Sequence, residues 1–244
     1  MLPAGFQGIT MSATYFGNPA ILRRSDQLFF LSMALIIVAT DALGFSIAFR
    51  KTNIADELHS PWVRVHVFFF TSWIFLFLAQ ATLIASHRTD LHRKLGIAGV
   101  VNCGLMILIT VIGAVSVFVN SPPRPALDHF MLGVVVHVDA IDFAILAVSG
   151  ILFRNRDSEI HKRLMFLATI VVAARFPFIG GLFKTKWPHY IDQDAFLVIG
   201  VLYDLITRRR VNPAYIWGGM IVALVPPIVE YFFRTLVPHL VAVQ

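Results

Sequence analysis

Cysteine is nearly absent from the chain: Cys103 stands alone, inside an apolar run. One thiol closes no disulfide framework and builds no thiolate cluster for zinc or iron–sulfur, and it leaves the redox compartment unreadable. Charge is scarce as well, with 14% Asp, Glu, Lys and Arg against 57% hydrophobic residues. So little polar surface cannot coat a water-soluble globule of 244 residues, and the mean hydropathy of +0.76 makes lipid the expected solvent for most of the chain. Lysine is missing from the middle of every apolar run, since Lys51, Lys94, Lys162, Lys184 and Lys186 all fall in loops or at helix ends. That excludes a retinal Schiff base. No stretch is left over for a separate soluble domain.

What is present is a series of apolar runs at about 27–49, 61–86, 92–119, 129–153, 161–183, 191–206 and 213–237. They are divided by charged or Pro-rich joints such as Asn-Ser-Pro-Pro-Arg-Pro at 120–125. Crossing a hydrocarbon core of ~30 Å takes about 20 helical residues. The expected fold class is therefore all-α integral membrane, with about seven transmembrane helices. The sixth run is short and has Asp192 and Asp194 at its start, so its limits are the least defined. Residues 1–26 form an N-terminal segment, and 27–244 read as a single transmembrane helical domain. The first run is long and has no small-residue cleavage site behind it, which predicts a retained span and not a signal peptide.

Basic residues are unevenly shared between the joints. One side holds Arg23, Arg24, Arg88, Arg93, Lys94, Arg154, Arg156, Lys162, Arg163, Arg208, Arg209 and Arg210; the other holds Arg50, Lys51, Arg64, Arg124, Lys184, Lys186 and Arg234. Twelve against seven predicts the N-terminus inside and the C-terminus outside. The same rule accounts for the formal charge of +6 without a nucleic-acid partner. The expected partners are the lipid bilayer and other membrane protein subunits.

Spans two and three look like spans four and five. Val65-His66-Val67 recurs as Val136-His137-Val138, and Asp90-Leu91-His92-Arg93-Lys94-Leu95 recurs as Glu159-Ile160-His161-Lys162-Arg163-Leu164. The histidine spacing is 26 residues in one copy and 24 in the other. This pattern predicts a duplicated two-helix repeat, with copies at about 61–119 and 129–183, that forms a central four-helix bundle.

In this orientation His66 lies near the outer end of span two and His137 about two turns below the outer end of span four. His92 and His161 both lie in the first turn of their helices at the inner face. A low-spin haem iron takes two imidazoles from opposed helices, so two facing pairs suit two b-type haems, one near each face. The basic residues beside His92 and His161 equally suit solvated interfacial positions, with Ser158 as a helix cap. Over residues 61–183 the chain resembles the cytochrome b561 class, whose histidines on four consecutive helices ligate two haems. That resemblance implies His66 with His137, and His92 with His161, as haem b ligands. Over nearly its whole length the chain also resembles bacterial seven-span proteins of unassigned function. The shared strings are His92-Arg93-Lys94-Leu95-Gly96 and His161-Lys162-Arg163-Leu164-Met165. This second likeness implies a shared fold in a bacterial inner (cytoplasmic) membrane.

Ionisable residues inside a membrane are costly and mark function by default. Asp41, Asp139, Asp142, Asp204 and Glu230 fall within runs, and Arg175 is the one evident mid-run cation. A buried charge network of Asp139, Asp142, Arg175 and Asp204 is expected, with Arg175 bridged to Asp142 or Asp204. Three functions follow from these features. The sharpest is a b-type cytochrome-like electron carrier. The alternative is a non-catalytic accessory or assembly subunit of a respiratory or photosynthetic complex, and less favoured is a proton-coupled transporter.

Overall fold

The computed structural model describes residues 19–51, 61–120, 127–173 and 191–242, and their side chains except at 19–21, 48–51, 117–120, 127–137, 191, 230, 233, 234 and 236–242. The described residues fold into seven helices and no strand: α1 (Pro19–Lys51), α2 (Pro61–Ala85), α3 (Thr89–Asn120), α4 (Leu127–Phe153), α5 (Ser158–Ala173), α6 (Ile191–Arg208) and α7 (Pro213–Ala242). Three segments, Leu22–Ile47, Pro61–Ala85 and Thr89–Ser116, are long and apolar enough to cross a membrane. Large apolar side chains such as Leu35, Ile97, Val101, Leu108, Leu152 and Ile206 point outward along the helices. Water would penalise such a surface at about 25 cal/mol per Å², whereas lipid does not. The chain is a helical membrane protein.

Local chemistry sets the helix ends. Pro61 and Pro213 open α2 and α7, at the first helical position, where a missing N–H costs nothing. Asn212 Oδ1 accepts the Ala214 amide at 2.9 Å and caps α7. At the start of α5, the cap is Asp157 and not the expected Ser158. Asp157 Oδ1 accepts the amides of Glu159 at 2.8 Å and Ile160 at 3.0 Å. A carboxylate also suits the positive end of the helix dipole. Helix α2 ends with His87 in the left-handed region (φ 60°), where the His87 amide bonds Ile84 O and the Arg88 amide bonds Leu83 O. These two bonds reverse the chain within three residues and set α3 antiparallel to α2.

Helices α2, α3, α4 and α5 neighbour one another in chain order, and α5 returns against α2 to close a ring. Trp73 Nε1 of α2 donates to Thr169 Oγ1 of α5 at 3.2 Å across that closure. The Trp73 ring meets Phe143 of α4 edge-on, with centroids 4.9 Å apart, and fills the middle of the ring. Between α2 and α3, Asn102 Nδ2 donates to Phe69 O at 3.2 Å. Helix α1 lies on α2 and α5, α7 on α4 and α5, and α6 on α5 and α7.

The ring is therefore not symmetrical in its surroundings. Helix α5 packs against α1, α2, α4, α6 and α7, and its Leu164, Phe166, Leu167, Ala168, Ile170 and Val171 are all buried. Helix α3 packs on α2 and α4 and turns the rest of its surface outward. Two helices that look alike in sequence thus occupy the centre and the rim. One contiguous apolar core draws side chains from all seven helices.

Close approach of α6 to α7 needs Gly200. A β-carbon there would meet the ring of buried Tyr215, with Oη at 2.7 Å, Cζ at 2.8 Å and Cε1 at 2.9 Å. Gly200→Ala is expected to cost about 1–3 kcal/mol, typical of overpacking. Gly99→Ala, where nothing lies within 4 Å, is expected to change stability by no more than ~1 kcal/mol and in the opposite direction. Thermal melting of the two purified variants checks the contrast in sign.

Candidate functional site

The short joints Ser86–Arg88 and Arg154–Asp157 bring the starts of α3 and α5 to one end of the bundle. The start of α1 and the end of α6 meet them there, around Arg163. Arg163 is wholly buried. Its Nε donates to Asp204 Oδ2 at 2.8 Å, its Nη2 to Asp204 Oδ1, and its Nη1 to Glu159 Oε2 at 2.8 Å. Lys162 binds Asp26 and also Glu159 Oε1, the latter at 2.6 Å. Arg208 Nη2 reaches Asp26 Oδ2 at 2.6 Å and Glu159 Oε2 at 3.1 Å. Tyr203 Oη donates to Asp26 Oδ1 at 2.7 Å. Three cations and three carboxylates sum to zero, so the cluster can be buried where an unpaired charge could not.

The electrostatics follow from that pairing. Burial pushes the Glu159 carboxyl up, but hydrogen bonds from Lys162 and Arg163 outweigh it and hold the group below its ordinary range. Burial works against the Arg208 charge, and the hydrogen bond to Asp26 together with the negative charges of Asp26, Glu159 and Asp204 more than offsets this, so Arg208 stays cationic. Asp204 Oδ2 additionally accepts the Asn212 amide at 3.1 Å, which ties the α6–α7 joint to the cluster.

His161 sits beside this cluster, half-buried. Its Nδ1 lies 2.7 Å from Gly150 O at the end of α4. A carbonyl only accepts, so Nδ1 carries the hydrogen and Nε2 keeps its lone pair in the neutral ring. Gly150 eases that approach, because a β-carbon there would meet Met165 Sδ at 2.8 Å and Leu164 Cβ at 3.3 Å, so the Met165 side chain would have to shift. His92, half-buried on α3, lies near the Gln80 backbone of α2 and close enough to His161 for their charges to interact. Its Nδ1 is buried and makes no hydrogen bond. Helices α3 and α5 stand diagonally across the ring, so the two imidazoles come from opposed walls at one level. The nitrogens left without a protein hydrogen bond are Nδ1 of His92 and, with Nδ1 committed to Gly150, Nε2 of His161.

At the other end of the ring, His66 stacks on Phe70, with centroids 3.9 Å apart and planes at 20°. It lines a cavity of about 300 Å³ together with Asp41 and Asp139. Its lining runs from His66 to Phe75 along α2 and from Asp139 to Phe143 along α4. The His137 side chain lies outside the described residues.

The expected network of Asp139, Asp142, Arg175 and Asp204 is distributed over three places. Asp139 lines the cavity, Asp142 is buried with Oδ2 free of hydrogen bonds, and Asp204 is bound to Arg163 in the charged cluster. Arg175 lies outside the described residues. Sequence reasoning took Lys162, Arg163 and Arg208 for loop charges and passed over Asp26 and Tyr203. One local signal was available: Glu159 and Arg163 stand four residues apart on α5, the spacing of a helical ion pair. The chain matches no protein-family model, no curated protein and no solved structure.

Two measurements probe the cluster. Arg163→Ala strands two carboxylates and is expected to cost about 3–5 kcal/mol, whereas Arg163→Met combined with Asp204→Leu recovers most of the loss. Melting of both variants in detergent checks this. The contribution of Glu159 is complete above the ordinary glutamate value of ~4.3 and fades as pH falls through the lower folded value. Below about pH 4.3 the melting temperature should therefore drop more steeply for the wild type than for Glu159→Gln.

Proposed function

We propose that the protein is a b-type cytochrome-like electron carrier that uses His92 and His161 as axial ligands. The observation that carries this reading is the pair itself: two half-buried imidazoles at one level, from helices diagonal to each other in a four-helix ring. The Gly150 carbonyl fixes the tautomer and orientation of His161, the service that ligating histidines ordinarily receive from an outer hydrogen bond. A haem held there supplies a one-electron ferric/ferrous couple. The chain contributes the two ligands, excludes water from most of each ring, and holds His161 against movement through the neighbouring Lys162 and Arg163 contacts. The proposal is confined to this pair; the partner that the sequence assigns to His66 is His137.

In this reading all seven helices cross a bacterial inner membrane. The charged cluster faces the cytoplasm, on the side where Lys and Arg predominate in the sequence. Reduced-minus-oxidised spectra of protein purified from haem-replete cells should show a b-type alpha band, and both His92→Ala and His161→Ala should abolish it. A wild-type protein without that band would end the proposal and leave the accessory-subunit reading standing.

A further inference from the structure

The end of the bundle that holds the charged cluster also carries an outer set of cations. Four adjacent pairs are exposed there: Arg23 with Arg24 at the start of α1, Arg93 with Lys94 on α3, Arg154 with Arg156 in the α4–α5 joint, and Arg209 with Arg210 after α6. Anions at this end are fewer. Asp26, Glu159 and Asp204 are engaged in the neutral cluster, Asp157 caps α5, and Asp90 is exposed. The chain ahead of Asp26 contains no Asp or Glu, so the residues before α1 bring no counter-charge.

Each pair has an outward-facing apolar side chain a turn deeper in the bundle. Leu28 follows Arg24 by four residues, Ile97 follows Arg93 by four, Leu152 precedes Arg156 by four and Ile206 precedes Arg210 by four. All four apolar side chains are more than half exposed. On α1 and α3 the four-residue spacing puts cation and apolar group on one face, about 6 Å apart along the axis. The joints after α4 and α6 are short, which keeps their cations within a turn of the helix ends. An exposed cation above an exposed apolar side chain matches a phospholipid, with its phosphate at headgroup level and its acyl chains below. An acidic protein would use the charge and leave the apolar half without a role. We propose that this end of the bundle binds anionic phospholipid selectively, its phosphates on the four cation pairs and its acyl chains on Leu28, Ile97, Leu152 and Ile206. The inference goes beyond the electron-carrier reading and does not rest on it.

The test uses the full-length protein purified in detergent and incubated with an equimolar mixture of phosphatidylglycerol and phosphatidylcholine of the same acyl chains. Native mass spectrometry then counts the lipid of each kind that stays bound. Phosphatidylglycerol should be retained at least about fivefold over phosphatidylcholine, the worth of one cation close to a phosphate, and added salt should lower the ratio. This comparison needs only the wild type. Changing any one pair to Gln, as in Arg93→Gln with Lys94→Gln, should lower the ratio, and changing all four pairs should bring it to about one. The eight side chains are exposed, so the gel-filtration profile should not change. Arg64→Gln, exposed at the opposite end, should leave the ratio as it is. Three results would overturn the proposal. The first is equal retention of the two lipids by the wild type, and the second is a ratio that survives in the variant with all four pairs changed. The third is binding of glycerophosphoglycerol, the headgroup without acyl chains, or of polyglutamate as tight as that of the lipid, which would assign the cations to a soluble anion or an acidic protein.

Discussion

Arg163 enters the fold as a full positive charge on the helix that the other helices enclose. Burying a lone guanidinium in a low-dielectric interior is prohibitive, so α5 can take the central position only if anions are brought to it. Glu159 supplies one from a turn earlier, and Asp204 supplies the second through a two-pronged contact from α6. Asp26, Lys162 and Arg208 complete the neutral set and bind α1 to the same point. The apolar packing of α5 on α2, α4 and α7 presupposes this neutralisation. So does the placement of His161, which is two residues from Arg163.

The Gly150–His161 contact depends on that arrangement from the other side. At Gly150 the α5 side chains Met165 and Leu164 lie against the α4 backbone, and the same closeness brings its carbonyl within reach of the imidazole. Packing and site geometry are thus one feature at this position. In the likened first copy, Arg93 and Lys94 stay exposed and His92 has a buried, unbonded Nδ1. The strings are similar, but their surroundings are not, because α1, α6 and α7 gather on α5 and leave α3 at the rim.

Much of the architecture was legible in the sequence. Apolar run lengths and the short charged joints place the starts of α2 to α7 within about three residues, because each is a local property of the chain, whereas α1 begins at Pro19, ahead of the run expected from residue 27. That His92 and His161 both fall in the first turns of their helices at one end was legible too, since direction alternates with each short turn. What composition could not convey was the partnership of distant charges. Asp26 and Arg208 are 182 residues apart, and nothing local announces that they meet. The positive-inside rule made Arg163 look solvated, because it counts charge by loop and takes no account of which face of a helix is covered. Asp157 likewise displaced Ser158 as a cap, since both are good capping residues and the register of the turn decides between them.

The buried position of α5 has a consequence for how the protein is made. Synthesis in order delivers α5 before α6, so Arg163 meets Glu159 first and Asp204 only later. The internal pair can carry the charge only part of the way, as Glu159 remains nearly half exposed in the finished fold. Helix α5 therefore has the full counter-charge for its buried arginine only once the Asp204 carboxylate arrives on α6. Its neutral setting waits on a residue forty-one positions downstream.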